Sequence, residues 1–136
     1  MEAGHGPDLT DTEDLGGLSI SPSTPTITDR SLLFDLGQID VRWEPEAATL
    51  WAVMAPEARP NYNLRMLRDI LSWQTETKRL FDMGQLPLRY MVLGSRCPGV
   101  FNLGGDLELF AACIERHDLP GLVRYGHACI DVVHRP

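Results

Sequence analysis

The sequence predicts an α/β fold, on three observations. An alternating segment, Ile39 to Trp43, and a nearly continuous apolar run, Thr49 to Ala55, flank the turn-forming Pro45-Glu46. A long amphipathic segment begins near Asn63, and a further apolar run, Leu88 to Leu93, leads into a glycine-rich loop. Short apolar runs bounded by Pro and Gly read as strands, whereas apolar residues recurring every three or four positions read as helix.

The front of the chain contributes little to this pattern. Met1 to Arg30 is rich in Gly, Pro, Ser, Thr and Asp and contains Ser21-Pro22-Ser23-Thr24-Pro25-Thr26. Such a composition buries too little apolar surface to offset the entropy of ordering, so residues 1–30 are expected to form a disordered acidic tail and residues 31–136 the folded domain. Leu32 to Leu36 reads either as a first strand or as a short docking segment. From Gln38 onward, Ile39, Val41 and Trp43 alternate with Asp40, Arg42 and Glu44 as in a half-buried strand. Thr49 to Ala55 is nearly continuous apolar sequence, which suits an interior strand paired with the first. Pro56 and Pro60 then end the strand.

Asn61 or Asn63 can cap the long helix that follows. Leu64, Leu67, Ile70, Leu71, Gln74 and Phe81 form its apolar stripe, interrupted by Gln74, and Arg65, Arg68, Asp69, Glu76 and Lys78 take the wet side. Gly84 marks its end. After the third strand and the glycine loop, Leu107 to Glu115 reads as a helix with Leu107, Phe110, Ala111 and Ile114 on one side. A break at His117-Asp118 precedes a last helix from about Pro120, whose Leu122, Tyr125, Gly126, Cys129, Ile130 and Val133 supply an apolar face.

Composition excludes several functions. The 136 residues carry 12 basic and 19 acidic side chains, a formal charge of -7, so a nucleic acid is not expected as a partner. No apolar run is long enough to span a bilayer, and no basic segment followed by an apolar one marks the start, so no membrane span and a cytoplasmic location are expected. Three cysteines, Cys97, Cys113 and Cys129, lack CxxC spacing and argue against a disulfide scaffold or a zinc knuckle. The histidines His117, His127 and His134 form no HxxxH or HExxH pattern, and no Gly-x-Ser-x-Gly surrounds Ser72 or Ser95. A Cys97-His-Asp triad has no support in spacing.

The loop itself is more informative. Gly104-Gly105 at a junction from strand to helix lets the backbone turn tightly and approach a ligand, and Asp106 is placed to cap the helix. Backbone N–H groups there are only partly used by the helix and can face negative charge on a substrate oxygen. An ordinary turn and cap would have the same residues.

Val100-Phe101-Asn102-Leu103-Gly104-Gly105-Asp106-Leu107, with Leu109-Phe110 behind it, resembles the first oxyanion-hole motif of the crotonase (enoyl-CoA hydratase/isomerase) superfamily, and most closely its diffusible-signal-factor synthase branch. The resemblance runs from about Gln38 to Pro136 and includes Trp51-Ala52-Val53-Met54, the helix from Asn63, Tyr90 to Ser95, and the segment ending in Val133-His134. It implies a β-β-α spiral, of which this sequence holds the amino-terminal part. It also implies an acyl thioester carried on coenzyme A or acyl carrier protein as substrate, with no separate cofactor, in an enzyme that forms homo-oligomers.

By the same resemblance, Gly105 supplies a backbone N–H to the oxyanion hole, with Asn102, Leu103 and Gly104 lining the substrate site and Arg96 a candidate for a pantetheine phosphate or carrier-protein surface; a solvated loop arginine is the other reading of Arg96. Such a site binds no metal. The reaction implied is that of a 3-hydroxyacyl carrier-protein dehydratase/thioesterase making a cis-2-unsaturated fatty acid signal. The second glycine stretch and the catalytic glutamates of such an enzyme would fall beyond Pro136, and this chain alone is expected to be inactive. Glu108 sits in a first helical turn, either facing the pocket or solvated there. A non-catalytic acyl-thioester-binding or interaction protein is the alternative.

Overall fold

In a computed structural model the described residues are 34–57 and 59–134. The expected tail, residues 1–30, lies outside them. The elements run β1 (Ile39–Glu44), β2 (Thr49–Met54), α1 (Leu64–Asp82), β3 (Tyr90–Ser95), α2 (Leu107–Glu115) and α3 (Leu119–His134). Strand β2 is central, antiparallel to β1 and parallel to β3, in a mixed three-stranded sheet that does not close. Parallel neighbours cannot be joined by a hairpin, and α1 is the crossover between β2 and β3.

Alternation decides which face of the sheet meets α1. Ile39, Val41 and Trp43 oppose Met54, Ala52 and Leu50, so all six lie on one face. They pack with Met66, Ile70, Trp73, Leu80 and Leu86 into the core. On the other face the Trp51 indole N–H donates to Glu44 Oε2 at 2.8 Å, and the Arg42 guanidinium lies 5.8 Å from the Trp51 ring centroid. Phe34 and Leu36 pack against the core without forming a strand, which answers the open reading of that segment for the described residues.

Helix α1 begins where expected and buries a different arc. Asn63 is the N-cap, its Oδ1 accepting from Met66 N–H at 2.9 Å while Gln38 Oε1 accepts from its amide at 3.2 Å. The buried residues are Met66, Leu67, Ile70, Trp73, Thr77 and Leu80, whereas Phe81 is 52 % exposed. The helix is apolar over more than one stripe, and the sheet selects the part containing Trp73 and Thr77. Asp69, expected in solvent, accepts from Gln38 N–H at 2.7 Å. The helix ends with Gly84 at φ +67, Gln85 N–H reaching Leu80 O at 2.9 Å and Gly84 N–H reaching Phe81 O at 2.9 Å, the two bonds of a Schellman stop.

Strand β3 starts two residues later than the apolar run suggests. Arg89 and Tyr90 both donate to Ala48 O, at 2.8 and 3.2 Å, and pairing with β2 begins at Thr49 opposite Tyr90. Leu86, in the turn before it, is buried in the core instead.

The break between α2 and α3 is a second Schellman stop, with His117 at φ +55, Asp118 N–H on Cys113 O at 2.8 Å and His117 N–H on Ile114 O at 3.1 Å. Asp118 then caps α3, its Oδ1 accepting from Gly121 N–H at 2.9 Å. The buried residue of α2 is Cys113, which lies outside its expected face, and of the face expected on α3 Tyr125 is buried, while Leu107, Ile114, Ile130 and Val133 are exposed. Contact with α1 and between α2 and α3 covers only part of each face.

Candidate functional site

The loop after β3 is shaped by short-range bonds. Arg96 N–H extends the ladder to Met54 O at 2.9 Å, and Ser95 Oγ accepts from Cys97 N–H at 3.2 Å. Asn102 Oδ1 accepts from Gly104 N–H at 2.7 Å, an Asx turn that carries the chain into a left-handed conformation at Gly104, φ +89. Asp106 closes the turn as the N-cap of α2, with Leu109 N–H on its Oδ1 at 3.2 Å.

The loop is then laid along the segment before α1. Leu103 N–H donates to Pro60 O at 2.7 Å, and Tyr62 N–H donates to Gly104 O at 2.8 Å, the second of these belonging to a parallel bridge between Tyr62 and Gly105. A trans peptide is planar, with N–H and C=O on opposite sides. Because Tyr62 holds the Gly104 carbonyl, the Gly105 N–H of the same peptide points away from Tyr62. Among the described residues no group accepts from it, and Gly105 is exposed. An outward backbone donor beside a helix N-terminus can stabilise negative charge on a ligand oxygen.

The sequence marks Tyr125 only as part of an apolar face. Its hydroxyl accepts from Asp106 N–H at 3.0 Å and donates to Tyr62 O at 2.6 Å. Its ring meets Phe110 edge-on, with centroids 5.1 Å apart and planes at 88°. Burial pushes the phenol pKa upward; the Asp106 hydrogen bond opposes this and the nearby Cys129 adds to it. A tyrosine within an apolar stripe is the signal in the sequence, since a buried hydroxyl needs partners.

Asn102, Leu103, Gly104 and Gly105 therefore form one continuous turn, in which Leu103 presents its side chain to solvent. Arg96 is engaged elsewhere, its guanidinium forming an ion pair with Asp40 of β1. Glu108 pairs at the surface with Arg59 at 3.0 Å. Among the described residues no cluster of His, Cys, Asp and Glu is placed to hold a metal ion, and no helix is long and apolar enough to cross a membrane. A groove of about 270 Å³ adjoins the loop through Tyr62 and is lined also by Leu67, Ile70, Gln74, Leu93, Cys129, Val132 and Val133. A second hollow of about 350 Å³ lies on the other side of Gln74, towards Phe81 and Met91.

The strand order, the crossover helix and the glycine loop feeding α2 define an incomplete crotonase-like β-β-α spiral. No protein-family model and no curated protein matches the sequence. Among solved structures the chain is similar to that of Pseudomonas aeruginosa DspI, with a TM-score of 0.58 and 16% identity over 73% of this chain. The chain spans 36% of the length of DspI. Identity at that level establishes a shared fold and leaves chemistry to be argued from the loop.

Proposed function

We propose that this chain is the amino-terminal part of a crotonase-type acyl-thioester enzyme and that Gly105 N–H is one of two donors to the thioester oxygen. The outward Gly105 N–H, unpartnered among the described residues, carries the reading. The acyl group is carried on coenzyme A or acyl carrier protein, and its chain follows the apolar groove past Tyr62 and Leu67 towards Gln74. Asn102 and Gly104 hold the turn, Leu103 borders the substrate, and Arg96 leaves Asp40 to meet a phosphate or a carrier-protein surface.

The reaction class is dehydration of a 3-hydroxyacyl thioester followed by thioester hydrolysis, giving a cis-2-unsaturated fatty acid signal. A proton leaves C2, hydroxide leaves C3 as water, and negative charge passes through the thioester oxygen. A well-aimed donor there is worth roughly 2.7 to 4 kcal/mol in the transition state. The acid and base, and the second donor, come from polypeptide outside these 136 residues, in a homo-oligomeric enzyme. Without them the chain binds and does not turn over.

The test is titration of the isotopically labelled chain with decanoyl-CoA, followed by amide NMR. The Gly105 resonance moves downfield on binding, and neither free thiol nor a new double bond accumulates with 3-hydroxydecanoyl-CoA. A Gly105 resonance unmoved at millimolar thioester refutes the assignment, and turnover by the purified chain refutes the division of labour.

A further inference from the structure

We propose that Tyr125 is a positioning residue whose hydroxyl fixes the direction of the Gly105 N–H, an inference that rests on the reading of that N–H as a thioester-oxygen donor. In an ordinary parallel bridge the Asp106 N–H would donate directly to Tyr62 O. Here the phenol oxygen bonds both groups of that bridge, at 3.0 Å from Asp106 N and 2.6 Å from Tyr62 O. An amide N–H only donates and a carbonyl only accepts, so the hydroxyl proton is directed at Tyr62.

The consequence falls on Gly105 because it lies between two anchored peptides. The peptide before its α-carbon is held through Gly104 O by Tyr62 N–H, and the peptide after it is held through Asp106 N–H by Tyr125. Glycine has no Cβ to restrict its own φ and ψ, so these two anchors do the restricting. Because the same hydroxyl also holds Tyr62 O, removing it loosens both the following plane and the Tyr62 backbone that grips the plane of the Gly105 N–H, and the donor direction spreads. A donor pays off in a transition state only when it is already aimed.

Ring and hydroxyl have separable duties. Tyr125 is 3% exposed and its ring packs edge-on against Phe110, whereas its hydroxyl makes the hydrogen bonds to the bridge. Tyr125→Phe keeps the first and deletes the second. Phe110→Leu weakens the first and keeps the second.

Amide hydrogen exchange on the unaltered 136-residue chain gives the first reading. Asp106 N–H is expected to be protected and Gly105 N–H unprotected; equal exchange at the two sites overturns the inference without any variant. In Tyr125→Phe, Asp106 exchange rises at least tenfold, the ligand-free Gly105 resonance shifts, and affinity for decanoyl-CoA falls about tenfold. Phe110→Leu loses less affinity than Tyr125→Phe, whatever its effect on stability. Wild-type affinity in Tyr125→Phe, or a larger loss in Phe110→Leu, overturns the positioning role. If the unaltered chain does not bind decanoyl-CoA, the thioester reading fails, while exchange and the ligand-free Gly105 shift still decide whether Tyr125 aims the amide.

Discussion

Gln74 Nε2 donates to the carbonyl oxygen of Val132 at 2.9 Å, so the polar residue in the apolar arc of α1 holds the last turn of α3. Val132 is among the final four residues of that helix, whose carbonyls find no partner further along the backbone. Gln74→Leu strips this carbonyl of its donor in a half-buried setting and is expected to cost about 1 to 3 kcal/mol. The check is a lower urea midpoint at unchanged slope, with faster amide exchange confined to the end of α3.

The two loop glycines respond differently to a methyl group. At Gly104, φ is +89 and an added Cβ meets nothing within 4 Å, so Gly104→Ala suffers backbone strain alone, about 1 to 2 kcal/mol. At Gly105 the added Cβ makes ordinary contact with Phe110 at 3.4 Å and with the Tyr125 hydroxyl at 3.7 Å. Gly105→Ala keeps its N–H and is expected within about 0.5 kcal/mol of the parent. Urea denaturation of the pair tests the order, which reverses if crowding rather than conformation governs the turn.

His117 occupies a left-handed position that glycine adopts freely, at φ +55 in the stop between α2 and α3. His117→Gly is expected to stabilise the chain by about 1 kcal/mol. An unchanged or lowered thermal midpoint would contradict this.

Alkaline pH acts through Tyr125. Its pKa is raised by burial, so the folded state holds the phenolic proton more tightly than the unfolded state, whose pKa is about 10. The stabilisation is complete below about pH 10, where both states are protonated, and is lost as pH rises through the folded-state value. Urea midpoints between pH 8 and pH 11 should fall at the upper end in the parent. In Tyr125→Phe that part of the decline is absent.

Much of this fold was legible because the sequence signals are local. Alternation marks β1, Asn63 and Gly84 bracket α1, and Asp106 caps α2. The buried arc of α1 departs from the expected stripe because Leu64, Leu71 and Phe81 are as apolar as the residues that face the sheet; only the position of β2 chooses Met66, Trp73 and Thr77. At the loop, Gly104-Gly105-Asp106 declared a turn and a cap. The phenol that spans the bridge did not declare itself, since its partners Asp106 and Tyr62 lie 19 and 63 residues away in sequence. Arg96 illustrates the same limit, because its ion pair with Asp40 joins residues 56 apart.

That long separation also orders events during folding. The β1 and β2 hairpin and the capped α1 form from neighbouring residues, whereas the clamp on Gly105 requires closure of a 63-residue interval between Tyr62 and Tyr125. Closure entropy must be met before such contacts return anything, so the glycine loop is expected to take shape after the rate-limiting barrier. Loop substitutions should then accelerate unfolding and leave the refolding arm of a chevron almost unchanged. A newly made chain would acquire its hairpin and first helix early, and its aimed amide only in the last step.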